Sequence, residues 1–110
     1  LGVTPANDAE GCLQDVHWSE GLFGYFPSYL LGHLISAQLC QAMASEIGAP
    51  EDHIASGDIT PLLGWLRQHV HPVGRALNAE DLVRQVTGRP LDSTAFLQHV
   101  RGKAQALQPA

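Results

Sequence analysis

The densest group of polar residues lies at positions 14–18, which read Gln-Asp-Val-His-Trp. A carboxylate and an imidazole beside a tryptophan are costly to bury unless they bond to one another or to a ligand. The same residues also fit a turn in which Asp15 caps a short helix and His17 bonds to the backbone. Spacing alone therefore leaves two interpretations open, a binding or catalytic cluster and a purely structural turn.

Two tyrosines follow at Tyr25 and Tyr29, four residues apart. If a helix has begun by Tyr25, both side chains lie on one helix face. Phenol hydroxyls near an imidazole can donate hydrogen bonds to an oxygen that gains negative charge during a reaction. Aromatic residues at this spacing also commonly fill a core, so the spacing by itself does not assign them a role.

The histidines lack the spacing of a catalytic metal site. Such a zinc site takes about three protein ligands and keeps one position open for water. Two ligands commonly come from a His-Glu-x-x-His helix, whose glutamate acts as the base. None of the six histidines is four residues from another, and only weaker pairs remain, His17 with Glu20 and His69 with His71. We therefore expect this chain to bind no catalytic metal.

A long helix is expected to follow the polar cluster, at residues 26–47. Pro27 suits a first helical turn and Gly48 suits the left-handed residue that ends a helix. Apolar residues recur between them at helical spacing and cover most of the circumference, which is typical of a central helix. The polar residues left to face solvent are Gln38, Gln41 and Glu46.

Four shorter helices are expected after the long one, each with its own start and stop signals. The predicted starts are Pro50, an N-cap at Thr60, an N-cap at Asn78, and a cap at Asp92 or Ser93. No segment alternates convincingly like a strand. The sequence therefore predicts an all-α fold of about five helices, with a loop and turn region at 1–25 and a helical bundle at 26–110.

Composition excludes several classes of function. The 110 residues carry a net charge of −5 without a basic patch, which argues against nucleic-acid binding. No apolar run is long enough to span a bilayer, and the start does not resemble a signal peptide. Cys12 and Cys40 are expected to be isolated thiols in a reducing cytoplasm. Because the chain starts at Leu1 rather than Met, we expect a piece of a longer protein.

Residues 11–18 also fit, position by position, the motif Gly-x-x-Gln-Asp-x-His-Trp, and in this they resemble the carboxypeptidase Taq family. The segments at 5–8, 24–32 and 61–66 are similar to that family as well, in the same order. The resemblance covers most of the chain. It implies a mostly helical, usually dimeric, cytoplasmic metallocarboxypeptidase that removes C-terminal amino acids with broad specificity.

The resemblance also implies roles for single residues. The motif residues Gln14, Asp15 and Trp18 are expected to line the groove wall that faces the substrate. More loosely, Gly-Tyr-x-x-x-Tyr is similar to a segment of the zinc oligopeptidases, in which a histidine and tyrosines stabilise the carbonyl oxygen under attack. By that similarity, the catalytic candidates are His17, Tyr25 and Tyr29.

Other parts of the family pattern are absent from this chain. The family holds zinc or cobalt on a His-Glu-x-x-His helix and a downstream glutamate, and it holds the substrate's terminal carboxylate with arginines in upstream motifs. The leading hypothesis is therefore a C-terminal part of a carboxypeptidase that is inactive alone and acts on peptides together with the missing N-terminal part. As part of a longer protein, helix 26–47 is expected to have lost packing partners, so we predict an exposed apolar patch and, with it, self-association, domain swapping or a homodimer. The alternative is a non-catalytic helical module that binds peptides or a partner.

Overall fold

A computed structural model describes residues 2–107, and within them all regular structure is helical. The helices are α1 (Val16–Ser19), α2 (Pro27–Ile47), α3 (Pro50–Ser56), α4 (Thr60–His69), α5 (Ala79–Thr87) and α6 (Thr94–Ala106). Single turns of 3-10 helix lie at Asp8–Glu10, Cys12–Gln14 and His71–Val73. The predicted all-α class is confirmed, and the one-turn helix α1 is added inside the predicted loop region.

The chain divides into two compact units, Leu1–Leu31 and Gly32–Ala110. The first contains the polar cluster and both tyrosines, and the second contains α3 to α6 together with most of α2. The assignment of both units to a single larger peptidase domain stays a prediction. Residue 1 and residues 108–110, at the ends of the predicted ranges 1–25 and 26–110, lie outside the described part of the chain.

Helix α2 agrees with its predicted bounds to within one residue. It begins at Pro27 and ends at Ile47, and Gly48 follows with φ of 88°. This φ is in the left-handed region, where a side chain with a Cβ is strained, so glycine stops the helix there. The apolar residues near its start remain about half exposed, at 51% for Leu30 and 49% for Leu31. The exposed apolar patch is therefore present, whereas self-association through it stays a prediction.

Gln38 contradicts the prediction that it faces solvent, because it is completely buried. Its Nε2 donates a hydrogen bond to the Pro90 carbonyl at 3.0 Å. Its Oε1 accepts one from the Asp92 backbone N–H at 2.9 Å. A buried amide is tolerated where both of its ends are bonded, and here those bonds tie the middle of α2 to the segment between α5 and α6.

The other buried side chains of the second unit come from four different helices. Met43 of α2, Trp65 of α4, Val83 of α5 and Ala95 of α6 are each at most 6% exposed. The Trp65 Nε1 atom is buried without a hydrogen-bond partner, and the indole stacks on His69 at a ring distance of 4.7 Å. Each of these four helices thus contributes one residue to a small apolar core.

The predicted helix caps are confirmed in position at Asn78 and at Ser93, and they differ at Thr60. Asn78 is the N-cap of α5, and its side chain accepts from the Asp81 N–H at 2.9 Å. Thr60 was predicted to be an N-cap but is the first residue of α4, because Asp58 accepts its backbone N–H at 3.0 Å. Ser93 takes the N-cap position of α6 without a side-chain bond.

Two further properties of the described residues bear on the sequence predictions. Cys12 and Cys40 are both free and exposed, as expected of isolated thiols. Among residues 2–107, no helix combines the length and the apolar character that crossing a bilayer requires.

Acidification is expected to weaken the starts of α4 and α6. The Thr60 side chain and backbone N–H hold the pKa of Asp58 below its usual value of 3.8, and the Thr94 backbone N–H and side chain do the same for Asp92. A carboxyl group whose pKa is lower in the folded state stabilises that state above its unfolded pKa and loses this effect as the pH falls through the folded pKa. We expect Asp92→Asn to lower the urea midpoint at pH 7 and to differ less from the parent near pH 3. An equal difference at both pH values would contradict this.

Candidate active-site segment

The motif at residues 11–18 begins with a glycine for a steric reason. A Cβ on Gly11 would lie 2.8 Å from the Pro5 Cγ atom and 3.4 Å from the Asn7 carbonyl oxygen. Gly11 also joins the two 3-10 turns that precede α1. A larger residue there would force these turns apart, which would change the direction in which the following residues enter α1.

Helix α1 places the carboxylate and the imidazole in direct contact. Asp15 is its N-cap, and its Oδ1 accepts the His17 backbone N–H at 2.9 Å. The same oxygen lies 2.9 Å from the His17 Nδ1 atom. The capping role that the sequence left open is therefore real. The imidazole, however, bonds to the carboxylate instead of the backbone.

Three aromatic rings surround the imidazole of His17. Tyr25 stacks on it with ring centroids 5.5 Å apart and an interplanar angle of 18°. Phe26 and Tyr29 meet it edge-on at 4.9 Å and 5.7 Å. The Tyr29 hydroxyl lies 3.3 Å from the His17 Nε2 atom. The ring is thus held between a carboxylate at one nitrogen and a phenol at the other.

The tyrosines come together by a route that differs from the conditional prediction. Helix α2 begins at Pro27, so Tyr25 lies ahead of the helix instead of one turn inside it. The Tyr25 carbonyl accepts the Ser28 N–H, and the Phe26 carbonyl accepts the Tyr29 N–H, both at 3.0 Å. These two bonds form the turn into α2 and leave the tyrosine rings 5.5 Å apart.

A shallow groove of about 410 Å³ lies beside this cluster. Its lining residues are Gly11, Gln14, Asp15, Val16, His17 and Phe26. Asp15 and His17, the charged or titratable groups of the motif, therefore both line this groove. Tyr25 and Tyr29 contact His17 without lining the groove themselves.

The remaining predicted groove residues differ in position. Gln14 lines the groove, and its amide donates to the Ala9 carbonyl at 2.6 Å. Trp18 does not line it. Its ring is 59% exposed and packs edge-on against Phe23, which is itself 70% exposed. A substrate role for either residue stays a prediction.

Phe26 is the site residue that sequence reasoning missed. The sequence places it at the start of the long helix and in the family-like segment 24–32 without a role in the site, yet it lines the groove and packs against His17. A signal was available, because Phe26 stands between the two tyrosines and one residue before the helix-starting proline. Side chains at a helix start can point back over the preceding turn.

The described residues do not fit a catalytic metal. Within residues 2–107, no three side chains of His, Cys, Asp or Glu are grouped so that they could hold an ion. The weaker pairs considered from sequence do not gain a third ligand. His69 instead lies 3.3 Å from Glu46 of α2. No chemical step is therefore assigned to a metal held by this chain.

Known proteins match this chain over nearly its whole length. Residues 1–104 match the sequence model of the family described as Carboxypeptidase Taq (M32) metallopeptidase. Thermostable carboxypeptidase 1 of Thermus thermophilus is 42% identical over 97% of the chain, and Carboxypeptidase 1 of Bacillus subtilis is 40% identical over 94%. The chain spans only 21% of the length of each of these relatives.

Solved structures give the same result. A structure described as "The Structure of CHT" is 44% identical to this chain, with a TM-score of 0.84. The match covers 94% of this chain and 21% of the chain in that structure. A second structure, described as "BsuCP Crystal Structure", is 39% identical with a TM-score of 0.83. That match covers 97% of this chain and 22% of the chain in the structure. The fold and the motif thus define a segment of a helical metallopeptidase. More specifically, the chain belongs to the carboxypeptidase Taq (M32) metallopeptidase family.

Proposed function

We propose that this chain forms one wall of the active site of a metal-dependent carboxypeptidase that removes C-terminal amino acids from peptides. The observation that carries the proposal is the His17 imidazole, bonded to Asp15 and Tyr29 beside an open groove in a segment that belongs to a metallopeptidase family. A peptide carbonyl needs such donors when it is attacked.

The proposed role of the cluster is to bind the carbonyl oxygen of the bond that is cut. His17, Tyr25 and Tyr29 offer an imidazole and two phenols within one small volume. Gln14 and Asp15 form the adjoining groove wall, and the exposed ring of Trp18 is proposed to contact the substrate. Donors that are already in place cost little reorganisation when charge develops on the oxygen, which is why such clusters accelerate acyl-transfer chemistry.

The metal belongs to the rest of the proposed enzyme. Zinc or cobalt would be held by residues outside this chain and would supply Lewis-acid activation, since the described residues do not fit an ion. The terminal-carboxylate arginines would also come from outside the chain. A cytoplasmic location and a homodimer complete the proposal, supported by the free thiols and by the half-exposed leucines of α2.

One observation favours a second candidate, a non-catalytic module that binds a peptide or partner. Trp18 and Phe23 form an exposed aromatic pair that the His17 cluster does not use. Large exposed apolar groups often mark interaction sites. This candidate predicts peptide binding without turnover even when the full-length protein carries its metal.

The isolated 110-residue chain is expected to release no C-terminal amino acids, with or without added zinc or cobalt. The reason is that residues 2–107 offer no metal-ligand cluster. Quantifying free amino acids from a short peptide, with the full-length protein as the positive control, tests this. Metal-dependent release by the isolated chain that survives further purification would show that a complete site exists here.

Substitution of either tyrosine by phenylalanine in the full-length protein tests the carbonyl-binding role. Loss of a preorganised donor lowers kcat by about 10²-fold or more in comparable sites, and this loss is expected for Tyr25→Phe. Tyr29→Phe removes the phenol that bonds to the His17 Nε2 atom, so it is expected to lower kcat by a smaller factor. The ring contacts of Tyr25 and Tyr29 with His17 remain in both variants, so folding is expected to be unaffected. An unchanged turnover number for both variants would rule out the role.

A further inference from the structure

The side chain of Asp15 is turned toward His17 in a way that substrate binding does not require. A single oxygen, Oδ1, accepts both the backbone N–H of His17 and a bond from its Nδ1 atom, each at 2.9 Å. The backbone bond holds that oxygen at the N-cap of α1, so the position of the carboxylate does not depend on the imidazole. The same oxygen atom therefore both caps the helix and orients the His17 ring.

This arrangement decides which nitrogen of His17 carries the proton. A carboxylate only accepts hydrogen bonds, so the Nδ1 atom must donate. In the neutral imidazole the other nitrogen, Nε2, is then an acceptor. Among residues 2–107, the polar group within hydrogen-bond distance of Nε2 is the Tyr29 hydroxyl at 3.3 Å, which must donate its hydrogen to the ring.

We propose that Asp15 is a positioning residue that holds neutral His17 in the Nδ1–H tautomer and thereby fixes the direction of the Tyr29 hydroxyl. Tyr25 stacks on the imidazole face and makes no bond to either ring nitrogen, so its hydroxyl hydrogen stays free for the carbonyl oxygen. This divides the two phenols into Tyr25, which donates to the carbonyl oxygen, and Tyr29, which donates to His17 and orders its ring. The inference rests on the proposed carboxypeptidase function for its kinetic consequences but not for the tautomer itself.

The tautomer can be observed directly in the full-length protein labelled with ring-15N histidine. In alkaline buffer, the His17 signals, assigned by their loss in His17→Gln, are expected to show a protonated Nδ1 and an unprotonated Nε2. Asp15→Ala removes the acceptor and is expected to shift the population toward the Nε2–H form. Asp15→Asn keeps an oxygen at the same position, so it is expected to restore the Nδ1–H form.

The kinetic expectation follows the same order. Asp15→Ala should lower kcat by about 10-fold to 100-fold with little change in KM, the usual cost of losing a partner that orients a functional histidine. Asp15→Asn should recover most of that loss. Asp8→Ala removes an exposed carboxylate in the 3-10 turn before the motif at residues 11–18, and its kcat and KM should equal those of the parent.

The outcomes separate a failure of the positioning role from a failure of the proposed function. A persistent Nδ1–H tautomer in Asp15→Ala, or unchanged kcat in that variant, would overturn the positioning role. An Asn variant as impaired as the Ala variant while retaining the Nδ1–H tautomer would likewise overturn it, since charge and not the tautomer would then matter. If the unmodified full-length protein releases no C-terminal residues, the proposed function fails, while the nitrogen signals still decide the tautomer.

Discussion

Replacement of His17 by alanine in the full-length protein is expected to lower kcat/KM for release of a C-terminal residue by about 10²-fold to 10³-fold. His17 contacts Asp15 and both tyrosines, so its removal takes away more than one interaction. Tyr29 loses its ordering partner, and Tyr25 loses the ring on which it stacks. The fall should appear mainly in kcat, because these contacts matter most when charge develops on the carbonyl oxygen.

The stability of the same variant is expected to change little, which separates a catalytic effect from unfolding. The Asp15 carboxylate can still cap α1 through the backbone N–H of residue 17. Asp15 and Tyr29 are both partly accessible, so water can replace the lost bonds. His71→Ala, an exposed histidine in a 3-10 turn of the other compact unit, is the matched control and should retain parent activity. Parent-like kcat/KM in His17→Ala would contradict the proposed role of the whole cluster.

Local sequence rules predicted much of the fold because its helices start and stop at short-range signals. Pro27 and Gly48 bound α2, and Asn78 with Asp81 caps α5, through contacts at most a few residues apart. The cap at Thr60 was misplaced for a related reason. Asp58, two residues earlier, supplies the accepting oxygen, and serine, threonine and aspartate compete for such positions with similar geometry.

The candidate site was predictable in composition but not in geometry. The Asp15–His17 bond spans two residues, so the motif contains it. The His17–Tyr29 contact spans twelve residues and depends on how the chain turns between α1 and α2. Gly21 and Gly24 both have positive φ in that turn, and no spacing rule gives the resulting path.

Gln38 was mispredicted because a helix pattern assigns faces by residue type. The periodic pattern predicts that a glutamine among apolar residues faces solvent. The two hydrogen-bond partners of Gln38, however, lie more than fifty positions further along the chain. Backbone groups in the loop between α5 and α6 need partners as much as side chains do. The glutamine supplies both a donor and an acceptor to that loop, which periodicity cannot reveal.

Gln38→Ala is therefore expected to lower the free energy of unfolding of the chain by about 3 kcal/mol. About 2 kcal/mol of this comes from the two backbone groups, the Pro90 carbonyl and the Asp92 N–H, that lose their bonds to a buried amide. The rest comes from the cavity left by a completely buried side chain. Gln38→Leu fills most of that volume without restoring the bonds, so it is expected to cost about 2 kcal/mol.

Gln41 provides the matched control, since it is the same residue type on the same helix, one turn later. It also bonds to the α5–α6 region, accepting from Arg89 at 2.7 Å and donating to Gln98 at 3.2 Å, but it is exposed. Water can replace those bonds, so Gln41→Ala should change stability by no more than about 0.5 kcal/mol. Urea unfolding followed by circular dichroism measures both variants. Equal losses for the two glutamines would mean that the bonds themselves stabilise the fold, whereas a loss only at Gln38 would locate the effect in its burial.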